Sequence, residues 1–139
     1  MKKSFFLTCI AILISACSEE AAVNIYDKTI IQTKIPCIKL VVFPPNEKIQ
    51  KTLESLYVFD ANCSYKLEVE TKSGITCNSN QNYEKKALGE FPTSYLKMQI
   101  TKGSSLQYSY YKDLKEEVEA LDVQRAWERM QEDLLFSSK

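Results

Sequence analysis

The feature that most constrains the fold is a regular alternation of apolar and polar residues between positions 94 and 111, interrupted by Gly103. A two-residue period places apolar side chains on one face of a strand, and a glycine between two such runs is typical of a hairpin turn. The apolar members are Leu96, Met98 and Ile100 before the glycine and Leu106, Tyr108 and Tyr110 after it. This stretch therefore predicts two antiparallel strands with one buried face.

Three further segments have recognisable patterns. Residues 35–43 are rich in β-branched side chains and predict a strand, which Pro44 and Pro45 end because proline cannot continue a sheet ladder. Residues 46–59 predict a helix of about 11 residues, with Asn46 as its N-cap. Residues 63–79 predict another hairpin, with its turn at Lys72-Ser73-Gly74.

The segment from 113 to 136 predicts a helix, but its apolar residues fall on two opposite sides. One straight helix cannot bury both sides against one core. Either the helix bends over the same sheet near Asp122, which would cap a second helix, or the second side contacts a partner with Trp127 as its anchor. The candidate partner-binding residues are Trp127, Met130 and Leu134.

Together these segments predict an α+β fold. We expect a small antiparallel sheet of about four to five strands, one short helix after the first strand, and a long or broken C-terminal helix. The single domain is expected to span residues 35–139.

The first seventeen residues have a different character from the rest. Lys2 and Lys3 precede an apolar run of about a dozen residues. A membrane-spanning helix needs about 20 apolar residues, so this run has instead the length of a signal-peptide core. It ends in Ile14-Ser15-Ala16-Cys17, which resembles the lipobox of bacterial lipoproteins.

This resemblance implies cleavage after Ala16 and attachment of fatty acyl chains to Cys17. Residues 1–16 would be a cleaved signal peptide, and residues 17–34 a lipidated N-terminus and tether. Two or more acyl chains hold a protein firmly on a membrane. Ser18 stands where lipoproteins retained at the inner membrane often carry aspartate, which favours the periplasmic face of the outer membrane.

Composition excludes several kinds of chemistry. The chain has no histidine, which removes Ser-His-Asp and Cys-His catalytic groups and histidine-containing zinc sites. Its three glycines cannot form a glycine-rich phosphate loop. Without residues 1–16, 16 basic and 18 acidic residues remain, a formal charge of −2. We therefore expect no cofactor, no metal site and no nucleic-acid partner.

Three cysteines remain for the domain if Cys17 carries lipid. In an oxidising compartment two of them are expected to pair. Nearness in sequence favours Cys63 with Cys77, and Cys37 is the alternative partner of either one. The tyrosines at alternating strand positions predict packing within the sheet, with a ligand or partner surface as the alternative.

The sequence therefore predicts a lipid-anchored envelope protein that is not an enzyme. We expect a binding or assembly module whose partner is another envelope protein. The alternatives are a small periplasmic enzyme that works without histidine and a purely structural envelope lipoprotein.

Overall fold

The computed structural model describes residues 20–76 and 91–136, which form a five-stranded sheet packed against two helices. The fold class is α+β, as predicted. The elements are β1 (Ala22–Ile25), β2 (Lys39–Phe43), α1 (Glu47–Leu56), β3 (Tyr65–Lys72), β4 (Ser94–Lys102), β5 (Ser105–Leu114) and α2 (Ala120–Asp133). A short 3₁₀ turn, Lys28–Ile31, follows β1.

The sheet has the strand order β1-β5-β4-β3-β2. The predicted hairpin of residues 94–111 is confirmed: β4 and β5 are antiparallel neighbours, and Gly103 in the turn has a φ of +60°. Glycine suits this left-handed conformation because it has no Cβ. A shift in register between Ile100 and Thr101 marks a bulge near the turn.

The second predicted hairpin, over residues 63–79, is wrong. Its first arm is β3, but β3 pairs with β4 on one side and with β2 on the other. After β3 the chain passes beside the start of β4, where the Ile75 N–H donates to the Thr93 carbonyl over 2.9 Å. An alternating pattern predicts a strand but does not predict which strand pairs with it. Here β3 pairs with β4, which has the same alternation and lies further along the chain.

The pair β2–β3 is parallel, so the sheet is mixed and not wholly antiparallel as predicted. Helix α1 makes the crossover that a parallel connection requires. Its predicted N-cap is confirmed, because the Asn46 side chain accepts a hydrogen bond of 3.1 Å from the Ile49 N–H. Ile49 and Leu53 face the core from this helix.

The domain begins before position 35, so the predicted tether of residues 17–34 is too long. Strand β1 pairs with β5 at the sheet edge, with Ala22 opposite Tyr111. Ile30, in the 3₁₀ turn, is buried. The chain therefore joins the folded domain from residue 22 onwards.

The C-terminal helix is shorter than the predicted segment. Leu114 ends β5, and α2 starts at Ala120 after a reciprocal capping box between Glu119 and Asp122. The predicted bend at Asp122 is therefore wrong: the N-cap is Glu119, Asp122 lies in the first turn of α2, and the residues before Glu119 form a strand end and a connection instead of a helix. This arrangement removes the conflict between two apolar sides on one helix.

One hydrophobic core lies between the sheet and the helices. Its sheet side consists of alternating side chains from the three central strands. These are Leu67 and Val69 of β3, Leu96, Met98 and Ile100 of β4, and Tyr108 and Tyr110 of β5. Within the described ranges, neither helix is long and apolar enough to cross a membrane.

Candidate functional site

The cysteines pair differently from the first prediction. Cys37 and Cys63 form a disulfide, with their Cα atoms 5.8 Å apart. This bond joins the segment before β2 to the segment before β3, two neighbouring parallel strands. Cys63 therefore does not pair with Cys77, and the alternative partner Cys37 is correct. Cys77 and Cys17 lie outside the described residues.

The candidate partner-binding residues are buried, so the prediction that they form a docking surface is wrong. Trp127 is 1% exposed, Met130 is fully buried, and Leu134 is 2% exposed. The Trp127 ring lies 5.4 Å from the ring of Tyr57 and 5.1 Å from that of Phe136, centroid to centroid. This side of α2 closes the core, which is the alternative that the sequence left open.

A different surface has the properties of a binding site. An open cleft of about 650 Å³ lies between α2 and the edge of the sheet formed by β1 and β5. We call it the basic cleft. Its lining residues are Glu20, Ala21, Val23, Tyr110, Lys112, Arg125 and Arg129.

Three of the four charged side chains in the basic cleft are cationic. Arg129 is held by Asp133, with its Nε 3.0 Å from a carboxylate oxygen. Lys112 and Arg125 form no ion pair with any described residue. Two positive charges are therefore available to an acidic group, and Glu20 is the one carboxylate among the described lining residues.

Tyr110 contributes an unusual polar group to the basic cleft. Its side chain is only 4% exposed, yet its hydroxyl makes no hydrogen bond with another described residue. Burial raises the pKa of Tyr110, and the nearby Asp122 carboxylate adds to this effect. The hydroxyl oxygen itself remains accessible from the cleft, so the neutral group is an unused donor in the same cleft as Lys112 and Arg125.

The opposite face of the sheet carries a second polar cluster, but its groups satisfy one another. Glu70 accepts a hydrogen bond from the Tyr95 hydroxyl and pairs with Lys97. The Tyr111 hydroxyl donates to Asp113 over 2.9 Å. The rings of Tyr95 and Tyr111 stack with centroids 5.4 Å apart.

These contacts also shift the titration of the cluster. Hydrogen bonds from Lys97 and Tyr95 lower the pKa of Glu70, which therefore stays ionised. Burial and the Asp113 carboxylate raise the pKa of Tyr111 to about 12. A carboxylate with a lowered pKa is poorly suited to act as a general acid, and the four side chains of this cluster that form these contacts need no ligand to satisfy them.

The basic cleft was not predicted, although part of its pattern is visible in the sequence. Arg125 and Arg129 are four residues apart, which puts them on one side of a helix. Tyr110 and Lys112 share one face of β5, because strand side chains alternate. The missing information was the pairing of β1 with β5, which brings residues 20–23 to the same place.

Comparisons with known proteins add no assignment to this site. The chain matches no protein-family model, and neither the search of curated proteins nor the search of solved structures finds a match.

Proposed function

We propose that this protein is a lipid-anchored, non-enzymatic binding module of the bacterial envelope, and that the basic cleft is its binding surface for an acidic group. The anchor is Cys17, and the domain lies on the periplasmic side, with Ser18 favouring the outer membrane. The observation that carries the binding role is that, among the described residues, Lys112 and Arg125 form no ion pair and the Tyr110 hydroxyl forms no hydrogen bond in the same cleft.

Physical chemistry supports an oxyanion as the ligand. Lysine and arginine donate charge-assisted hydrogen bonds to carboxylate and phosphate oxygens, and these are the strongest that side chains make. Arginine also presents a planar fork that matches two oxygens of one group. A neutral tyrosine hydroxyl adds a third donor, which an oxyanion accepts and a cation does not.

A binding role is favoured over catalysis by the groups that the chain offers. The sequence has no histidine, and the lowered pKa of Glu70 keeps its carboxylate charged. A periplasmic enzyme without histidine and a structural lipoprotein remain the competing functions.

The anchor is tested by the mass of the protein purified from bacterial membranes and by incorporation of labelled palmitate. We expect the purified chain to start at Cys17 with attached acyl chains, and Cys17→Ser to take up no label. An unmodified Cys17, or equal labelling of the variant, would refute the anchor.

The binding role is tested on the lipidated protein in nanodiscs made of zwitterionic lipid. Added inorganic phosphate is expected to slow acylation of Lys112 by an uncharged amine reagent, as read by mass spectrometry. Lys48, exposed on α1, is the matched control and should react at an unchanged rate when chloride balances the ionic strength. Unchanged acylation of Lys112 at saturating phosphate would argue against an anion site.

A further inference from the structure

The basic cleft lies close to the proposed attachment point. Glu20 and Ala21 form part of its lining, and Glu20 is three residues after Cys17. A fully extended chain spans at most about 3.6 Å per residue, so Glu20 cannot be further than about 11 Å from the lipidated residue. The short connection also follows from β1, which starts at Ala22 and leaves no long tether.

This distance brings the cleft into the electrostatic reach of the membrane. Fixed charges act over about 8–10 Å at physiological ionic strength, and anionic phospholipids attract basic side chains near the surface. Lys112 and Arg125 form no ion pair within the described residues, and together they outweigh the single negative charge of Glu20 in the same lining. The charge of the cleft is therefore complementary to an acidic headgroup layer.

The adjoining surface of α2 carries an exposed leucine and two arginines, together with the exposed carboxylates of Glu128 and Glu132. Leu121, Arg125 and Arg129 follow one another at intervals of four residues, on one side of the helix. Leu121 is 52% exposed. An exposed leucine in line with two arginines suits the boundary between headgroups and acyl chains, where basic and apolar side chains both find favourable contacts.

We propose that the basic cleft docks on the same membrane that holds the chain, and that its ligand is the phosphate of an anionic phospholipid headgroup. Lys112 and Arg125 bind the phosphate oxygens, and the Tyr110 hydroxyl donates to one of them. Docking fixes the orientation of the domain, with β1 and α2 towards the bilayer. This inference rests on the proposed lipid anchor and on the proposed anion site.

The experiment compares the lipidated protein in nanodiscs of zwitterionic phospholipid with nanodiscs that contain phosphatidylglycerol. The mass of the purified protein is measured first, so that a missing anchor is recognised separately. The rate of acylation is then followed at Lys112 and at the control residue Lys48. The measurement is repeated with Arg125→Gln, which removes an exposed charge, and with Arg125→Lys, which retains it.

We expect phosphatidylglycerol to slow acylation of Lys112 by about fivefold, the effect of roughly one basic residue at an anionic surface. Lys48 should react at the same rate in both nanodiscs. Arg125→Gln should lose most of this protection and Arg125→Lys should keep it. High salt should abolish the protection, because the attraction is electrostatic.

Three results would overturn the inference. Equal protection of Lys112 in both nanodiscs would show that the bilayer covers the cleft without recognising an anion. Protection by free phosphate, with none by phosphatidylglycerol, would assign the site to a soluble anion and leave the proposed function intact. Protection that Arg125→Gln does not diminish would place the lipid contact elsewhere on the domain.

Discussion

The Tyr108 hydroxyl donates a hydrogen bond of 2.8 Å to the Asp133 carboxylate. This contact joins the middle of β5 to the last residue of α2, and Asp133 also accepts from Arg129. Burial and the nearby carboxylate raise the pKa of Tyr108 far above its usual value, so the hydroxyl remains a donor at any physiological pH. The helix that forms one wall of the basic cleft is thereby fixed to the sheet.

We expect Tyr108→Phe to destabilise the domain by about 1.5–3 kcal/mol, the usual contribution of a hydrogen bond to a charged group. Because the phenyl ring of the variant keeps the packing contacts, the loss of stability measures the contribution of the hydroxyl alone. Guanidinium unfolding of the domain measures it, and Asp133→Asn, with the double variant, completes a thermodynamic cycle. Additive losses would show that the two groups are not coupled.

The corresponding substitution of Tyr57 by phenylalanine should not lower the free energy of unfolding. The Tyr57 hydroxyl is buried and has no hydrogen-bond partner among the described residues, and burial raises its pKa. Tyr57→Phe removes a desolvated polar group from the aromatic cluster around Trp127, so we expect stability to stay constant or to rise by about 1 kcal/mol. A loss comparable with that of Tyr108→Phe would mean that this hydroxyl has a partner.

The Cys37–Cys63 disulfide is expected to contribute about 3.5 kcal/mol, from the loop-closure entropy of a bond that spans 26 positions. The double substitution Cys37→Ser with Cys63→Ser avoids a free reactive thiol and should lower the guanidinium midpoint accordingly. Peptide mapping of the oxidised protein should recover the 37–63 linkage. Recovery of a 63–77 linkage would contradict the pairing.

The predictions from sequence succeeded where neighbouring residues decide the structure. The Asn46 cap depends on a contact three residues away, and the hairpin of residues 94–111 depends on an alternation that spans one turn. The start of α2 also has a local origin, because the capping box joins Glu119 and Asp122, although the sequence analysis placed the cap at Asp122. In these cases the side chains that determine the backbone lie within one segment.

Several of the errors concern partners that lie far apart in the sequence. The pattern around Tyr65 shows that β3 is a strand, but its partners in β2 and β4 come from either side of it along the chain. The disulfide depends on the same parallel pairing of β2 with β3, which brings Cys37 and Cys63 together before the two strands. The basic cleft needs β1 beside β5, which separates its lining residues by about ninety positions. Hydrophobic period alone carries no such information.

Burial of one side of α2 predicts a sharp contrast between two substitutions on this helix. Met130 is fully buried, whereas Leu121 is 52% exposed. We expect Met130→Ala to cost about 2–5 kcal/mol through the cavity it leaves, and Leu121→Ala to change stability by less than about 0.5 kcal/mol. The fluorescence emission of Trp127, the one tryptophan in the sequence, is the signal that measures unfolding. Similar losses at both positions would indicate that Leu121 is buried as well.

Alkaline pH should destabilise the domain through Tyr111. Its folded pKa of about 12 exceeds the value of about 10 in the unfolded chain. A raised pKa means that the unfolded state releases its proton first, so the stability is present below pH 10 and is lost between about pH 10 and 12. Guanidinium unfolding at pH 8 and pH 11 should show a smaller loss in Tyr111→Phe than in the wild type. Asp113→Asn should also reduce the loss, because it removes the charge that opposes ionisation. An equal loss in all three proteins would assign the alkaline effect to other groups.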